Sequence, residues 1–184
     1  MEKILLKKSG MFLKFMTGIL LIAAAVLFPQ IIHVIGKWSH SGNMLGTIIL
    51  PMHFAVLISG LILGPIAGGM IGVFSPLVSY LLTGMPAVDQ LLLMSIELAV
   101  YGISCGLISK KKLPIAVKIM IAQICGRIVK FLIAFLITLT LPDISIDLGK
   151  LAATFLTGLP GIVMQILLIP CLFNIFKGFT KYYE

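Results

Sequence analysis

The chain of 184 residues is strongly apolar: 60% of its residues are hydrophobic, 11% are charged and the mean hydropathy is +1.18. Soluble domains carry roughly a quarter charged residues, and a globule of this size could not bury so much apolar surface. The composition therefore excludes a soluble enzyme, a disordered chain, and collagen-like or disulfide-framework proteins. It predicts a single-domain integral membrane protein over residues 1–184.

The excess of basic residues is explained by topology rather than by nucleic acid. The 14 Lys and Arg residues against 6 Asp and Glu residues give a net charge of +8. Most of them lie at the ends of apolar segments, and no basic patch with interleaved aromatic residues occurs, so nucleic-acid binding is excluded. The three cysteines lie inside apolar runs without metal-ligand spacing, and we expect neither a metal nor a cofactor.

Six apolar segments are long enough to cross a bilayer as helices, since a crossing needs about 20 residues. In chain order these spans cover residues 12–35, 44–63, 66–83, 88–108, 113–141 and 148–175. Turn-forming sequences such as Gly64-Pro65, "TGMP" at 83–86 and "SKKKLP" at 109–114 separate the later spans. The predicted fold class is an all-α integral membrane protein, a compact bundle of six transmembrane helices.

Lysines predict the orientation of the spans, because cytoplasmic loops are enriched in Lys and Arg. The basic loops contain Lys3, Lys7, Lys8 and Lys14 before or within the first span, Lys110–Lys112 between the fourth and fifth, and Lys177 and Lys181 after the sixth. Six spans place these groups on one side, so both termini are predicted to be cytoplasmic. The first span lacks a clear cleavage site and is expected to be a retained helix.

Proline and small residues are expected to shape the spans. The prolines that fall inside them include Pro29, Pro51, Pro76 and Pro160. We expect these prolines to kink or interrupt the helices. Glycines recur every four positions, at Gly60, Gly64, Gly68 and Gly72. They predict close packing of the second and third spans, and Ala23–Ala25 give the first span a flat patch for internal packing or for another membrane protein.

Ionisable residues within the spans are costly and are functional candidates by default. Four of them, His53, Glu97, Arg127 and Lys130, lie at depths that would let them meet in one cavity open to the outside. Helical spacing adds further residues to the same faces. The faces comprise Gln123, Arg127 and Lys130; Gln90, Glu97 and Tyr101; and Thr154, Thr157, Gly161 and Gln165. The third to sixth spans would thus enclose a substrate pocket.

Structural roles are the alternatives for these residues. Glu97 with Arg127 or Lys130 would also serve as a buried ion pair that holds two helices together. His53 would also bond a carbonyl group freed by Pro51, and Gln165 and the threonines would also join helices. No Walker A, HExxH, GxSxG or paired-aspartate motif occurs. Two alternative functions are considered. One is a small intramembrane enzyme with Glu97 or His53 as general base, and the other is a structural membrane scaffold.

The stretch "LPMHFAVLISGLILGPIAGGMIGVFSPLVSYLLTGMP" at 50–86 resembles a substrate-binding S component of an energy-coupling factor (ECF) transporter. "GRIVK" at 126–130, the chain length and the six spans are similar to the same family. The resemblance implies a subunit of an ABC importer in a prokaryotic plasma membrane. Such a subunit binds a water-soluble vitamin or precursor on the extracellular side. It then delivers the ligand with a transmembrane coupling protein and two ABC-type ATPases.

The resemblance also implies where ligand and partner bind. Family ligands are held by the fourth to sixth helices and by outer loops, which here are residues 36–43, 84–88 and 142–147. The first of these loops offers Trp38, His40 and Asn43 as an alternative site. The first helix of the family often carries an Ala-xxx-Ala docking motif, and Ala23–Ala25 stand in its place.

The charge balance of the predicted pocket bears on the ligand. Arg127 and Lys130 outnumber Glu97, which favours a carboxylate or phosphate ligand such as pantothenate. A pyridine vitamin or a deazapurine precursor is the alternative, with Glu97 accepting hydrogen bonds from ring donors.

Overall fold

A computed structural model of the chain describes residues 2–40, 44–140 and 146–180, and every regular element in these ranges is a helix. The helices are α1 (Glu2–Trp38), α2 (Met44–Ile49), α3 (Pro51–Leu63), α4 (Pro65–Thr83), α5 (Val88–Ile108), α6 (Ile115–Thr140), α7 (Leu148–Thr157) and α8 (Leu159–Thr180). Long apolar runs adopt helices because a bilayer offers no water to satisfy backbone groups.

The helices combine into membrane spans that match the sequence-based segments. Five spans are long and apolar enough to cross: Phe15–Trp38, Met44–Leu63, Pro65–Thr83, Val88–Ile108 and Ile115–Thr140. Residues 149–157 of α7 and 159–173 of α8 are long and apolar enough only as a pair, and this pair is bent by 41°, so it is either a broken sixth span or a re-entrant segment. The predicted all-α membrane bundle is confirmed, with the bent pair α7 and α8 in place of a continuous sixth helix.

Two of the spans are broken, and each break involves proline or glycine. Leu50 has φ 53° and ψ 52°, in the left-handed region, and this residue separates α2 from α3. The α region is disfavoured immediately before Pro51, which explains a break at this position. Gly158 separates α7 from α8, two residues before Pro160. Pro29 and Pro76, in contrast, lie within continuous helices.

Glycines seat α5 directly against α3 and α4. A Cβ atom on Gly102 of α5 would collide with the carbonyl group of Gly68, and one on Gly60 would collide with the carbonyl oxygen of Gly102. A Cβ atom on Gly72 of α4 would likewise collide with the carbonyl group of Leu98. The expected approach of the second and third spans is present at Gly60 and Gly68, but the same glycines also admit a third helix. This seam fixes the position of α5, which carries Glu97.

The first helix packs along α3 and α4 and leaves much of its surface exposed. Ala25 is fully buried in the core, Ala23 is half-buried and Ala24 is exposed. The predicted flat patch is therefore divided between the interior and the surface. Of the three alanines, Ala24 is the most exposed and so the most open to contact with another protein.

Candidate functional site

The candidate site is centred on the carboxylate of Glu97, whose side chain is only 2% exposed. Lys130 Nζ lies 2.7 Å from Glu97 Oε2, and Arg127 Nε lies 3.2 Å from Oε1. Tyr101 donates its hydroxyl hydrogen to Glu97 Oε1 at 2.7 Å and accepts a hydrogen bond from Arg127 Nε at 3.0 Å. These four residues, called the charge cluster below, join α5 to α6 through one closed network.

Helical spacing explains how the charge cluster assembles. Glu97 and Tyr101 are four residues apart on α5, and Arg127 and Lys130 are three apart on α6, so each pair shares a helix face. Gly126 makes room between the two helices, because a Cβ atom there would collide with the Tyr101 ring. The one-face arrangement predicted from the spacing is therefore observed for these residues.

Two aromatic or heteroaromatic groups border the charge cluster. The His53 ring lies 5.4 Å from the Tyr101 ring, centroid to centroid, and is tilted by 53°. His53 is 3% exposed, and its Nδ1 atom is buried without a partner among the described residues. The Arg127 guanidinium carbon lies 4.9 Å from the centroid of the Phe155 ring on α7. Such cation–π contacts hold a guanidinium group in place.

A second polar group lies beside the charge cluster and connects three segments. Gln123 of α6 donates from Nε2 to Oε1 of Gln165 at 2.6 Å, and Gln165 of α8 donates from Nε2 to the carbonyl oxygen of Leu50 at 3.2 Å. These two amides and the Leu50 carbonyl are called the amide string below. The string links α6 and α8 to the break between α2 and α3.

The two helix breaks meet next to this string. A Cβ atom on Gly161 of α8 would collide with the carbonyl oxygen of Ile48, so α8 approaches the end of α2 closely. The Cβ position of Gly158 lies 3.1 Å from the Leu50 side chain and 3.6 Å from Arg127 Nη2. Broken helices at membrane depth are tolerated where they are covered by protein or line a cavity, and transporters use them to form substrate sites.

The cations lie at the more accessible edge of the charge cluster. The side chains of Arg127 and Lys130 are 11% and 15% exposed, whereas that of Glu97 is 2% exposed. Arg127 uses its Nε atom within the cluster, and its terminal Nη groups donate no hydrogen bond to the described residues. A ligand that reached this edge would therefore meet cationic donors before the carboxylate.

The remaining predicted site residues lie apart from this centre. Gln90, Trp38 and His40 are exposed, Trp38 by 85%, and no contact joins them to the charge cluster among the described residues. Asn43 lies outside the described residues. Thr154 and Thr157 bond the carbonyl oxygens of Lys150 and Thr154 in their own helix, so the expectation that they join helices is wrong. Gln165 does join helices, as that alternative expected.

Sequence reasoning missed Phe155 and the Leu50 carbonyl. Phe155 is one of 11 phenylalanines in an apolar chain, and nothing in its spacing singled it out. The Leu50 carbonyl oxygen was not singled out either, and it accepts hydrogen bonds from the backbone N–H of His53 and from Nε2 of Gln165. The expectation that the His53 side chain bonds a carbonyl freed by Pro51 has no support, since its Nδ1 atom has no partner among the described residues.

A comparison with protein families identifies the chain. A family model described as "ECF transporter, substrate-specific component" matches residues 14–182, which confirms the resemblance seen in the sequence. No curated protein and no solved structure matches the chain. Members of this family are membrane transport subunits that act on a small-molecule substrate with the ECF coupling protein and ATPases, and they are not enzymes. The chain therefore belongs to the family of substrate-specific components of ECF transporters.

Proposed function

We propose that the chain captures a water-soluble vitamin or vitamin precursor on the extracellular side of a prokaryotic plasma membrane. It would then hand this ligand to the cell interior through the coupling protein and two ABC-type ATPases. The charge cluster carries the proposal, because ionisable residues inside a membrane are costly and mark substrate paths by default. Both termini on the cytoplasmic side would place the ends of α5 and α6 near Val88 and Thr140 outside.

The number of charges supports a ligand site over a purely structural ion pair. One cation would suffice to neutralise Glu97, yet Arg127 and Lys130 both contact it, which leaves one positive charge in excess. Uncompensated charge is costly in a low-dielectric surrounding. A ligand carboxylate or phosphate would neutralise it, so the proposal favours an anionic vitamin such as pantothenate over a pyridine vitamin or a deazapurine precursor.

Ligand identification provides the first test. The purified chain is analysed by mass spectrometry for copurified small molecules, and the ligand-free chain is heated with a panel of water-soluble vitamins. A ligand that binds only the folded state stabilises it by about 2.7 kcal/mol at 100 times its Kd. We expect one vitamin or precursor to raise the unfolding temperature. If no vitamin or precursor copurifies or shifts the transition, the proposed function is wrong.

A matched pair of substitutions separates a ligand site from a structural ion pair. In the Arg127→Met variant, Glu97 keeps Lys130, so the fold should survive without the excess charge. Losing one charged contact to a buried ligand group costs about 2–5 kcal/mol, or roughly 30-fold to several thousand-fold in affinity. We expect this loss of affinity with little change in the unfolding temperature of the ligand-free protein.

Lys118→Met is the control for this experiment. Lys118 is another buried lysine of α6, but it donates to the carbonyl oxygen of Ser109 at the end of α5. It precedes Arg127 by nine residues, about 13–14 Å along the helix axis. The control should lower stability and leave ligand affinity unchanged. If Arg127→Met instead behaves like this control, the charge cluster is only a structural link between α5 and α6.

A further inference from the structure

The direction of the hydrogen bonds in the amide string is fixed at one end. The carbonyl oxygen of Leu50 can only accept, so Gln165 must direct Nε2 toward it and Oε1 toward Gln123. Gln123 must then direct its own Nε2 toward Gln165. Amide orientations are assigned from such networks, and here the backbone acceptor decides both of them. The Oε1 atom of Gln123 is left over as an acceptor.

That acceptor is buried and unused. Gln123 is 4% exposed, and its Oε1 atom has no hydrogen-bond partner among the described residues. Buried polar atoms nearly always have a partner, so an unpaired one requires an explanation such as a missing ligand. The nearby His53 Nδ1 atom is also buried without a described partner. A neutral imidazole nitrogen can donate or accept, however, so only Gln123 specifies the polarity of the group it lacks.

The residue with the unused acceptor shares a face of α6 with Arg127. Gln123 and Arg127 are four residues apart on α6, so their Cβ atoms are about 5–6 Å apart on one face. The Nη groups of Arg127 donate to no described residue and call for an acceptor, best a carboxylate or phosphate. Gln123 Oε1 calls for an O–H or N–H donor. A single ligand that contacts both residues would have to carry both kinds of group.

We propose that the substrate is an anion that also carries a hydroxyl or amide N–H donor a few bonds from its acidic group. This inference rests on the proposed vitamin-binding function and narrows its ligand. The acidic group contacts Arg127, and the donor contacts Gln123 Oε1. A hydroxy-amide carboxylate meets both requirements. A pyridine carboxylate lacks the donor, and a neutral or cationic deazapurine lacks the acidic group.

Four probes test the two requirements separately on the ligand-free protein. Pantothenate has the carboxylate and the donors, its alcohol analogue pantothenol has only the donors, nicotinate has only the carboxylate, and pyridoxine is a neutral vitamin with donors. Calorimetry and thermal shift give the affinities. We expect pantothenate to bind at least 30-fold more tightly than the other three. Equal or tighter binding of pantothenol, nicotinate or pyridoxine would overturn the inference.

Substitutions assign each requirement to its residue. Gln123→Met should weaken pantothenate binding about tenfold or more, and should change nicotinate binding less than threefold, because nicotinate has no donor to lose. Arg127→Met should abolish the preference for pantothenate over pantothenol. Lys118→Met should leave the affinity for pantothenate relative to nicotinate, and relative to pantothenol, as in the unmodified protein. Unchanged pantothenate affinity in Gln123→Met, measured on a variant that still elutes as a single species, contradicts the assignment.

The outcome for the wider vitamin panel separates this inference from the proposed function. If the copurified or stabilising ligand is a vitamin that lacks an acidic group or a neighbouring donor, the chain is a vitamin-binding subunit and the inference about ligand chemistry is wrong. If no vitamin or precursor binds, the proposed function fails and the inference fails with it.

Discussion

Replacing Glu97 with glutamine is expected to destabilise the ligand-free protein more than replacing either cation. The substitution keeps the side-chain shape but removes the only anion between Arg127 and Lys130, so the net charge of these three positions rises from +1 to +2. Lys130→Met instead lowers it to zero. At an effective dielectric constant of about 20, contacts at these distances are worth about 5–6 kcal/mol each before desolvation.

The expected loss of stability follows from the burial of the carboxylate. Breaking a buried ion pair by removing one partner costs about 3–5 kcal/mol, because the other charge is left uncompensated. Glu97→Gln leaves two such charges, although each retains some contact with solvent. We therefore expect a loss of about 3–5 kcal/mol for Glu97→Gln and a smaller loss for Lys130→Met, in which Arg127 and Tyr101 still hold the carboxylate.

Cysteine chemistry provides the assay. Cys105 is fully buried, so a fluorogenic maleimide labels it only after unfolding, and substitutions of Cys125 and Cys171 by serine remove the background. Unfolding of ligand-free Glu97→Gln, Lys130→Met and the parent protein is followed in the same detergent. If Glu97→Gln unfolds at the parent temperature, the carboxylate does not hold the two cations. If Lys130→Met is the less stable variant, the charge argument is wrong.

Three further predictions concern packing, topology and energy coupling. Gly126→Ala should lower the free energy of unfolding by about 1–3 kcal/mol, because the added Cβ atom pushes the Tyr101 ring away. The matched control Gly18→Ala, whose Cβ atom would lie 3.9 Å from the nearest atom, should lose no stability. Equal stability of the two variants would contradict this packing. An impermeant thiol reagent should label His40→Cys but not Lys111→Cys on intact cells, and the reverse pattern would invert the proposed orientation. In liposomes, concentrative uptake should require the coupling protein, the ATPases and ATP, and uptake by the chain alone would exclude this mode of transport.

The membrane bundle and the charged part of the site could be predicted from the sequence for the same reason. In a chain with 11% charged residues, a charge inside an apolar run carries a large energetic cost and is conspicuous. Glu97, Arg127 and Lys130 each lie in such a run, and their spacing defines helix faces without knowledge of the tertiary structure. The sequence did not determine which of these side chains contact one another. In the structure, Arg127 and Lys130 both form ion pairs with Glu97.

The amide string and the helix breaks beside it were not predictable, because they depend on backbone atoms that are the same for every residue type. The Leu50 carbonyl lies at the break where the chain adopts a left-handed conformation before Pro51, and periodicity does not report where a carbonyl at such a break points. Gly161 shows the same limitation: it was placed on a polar face, but it acts by letting α8 reach the carbonyl oxygens of α2. The charged groups therefore mark the location of the site in the sequence, whereas the helix breaks, visible only in three dimensions, determine which acceptor is left for a ligand.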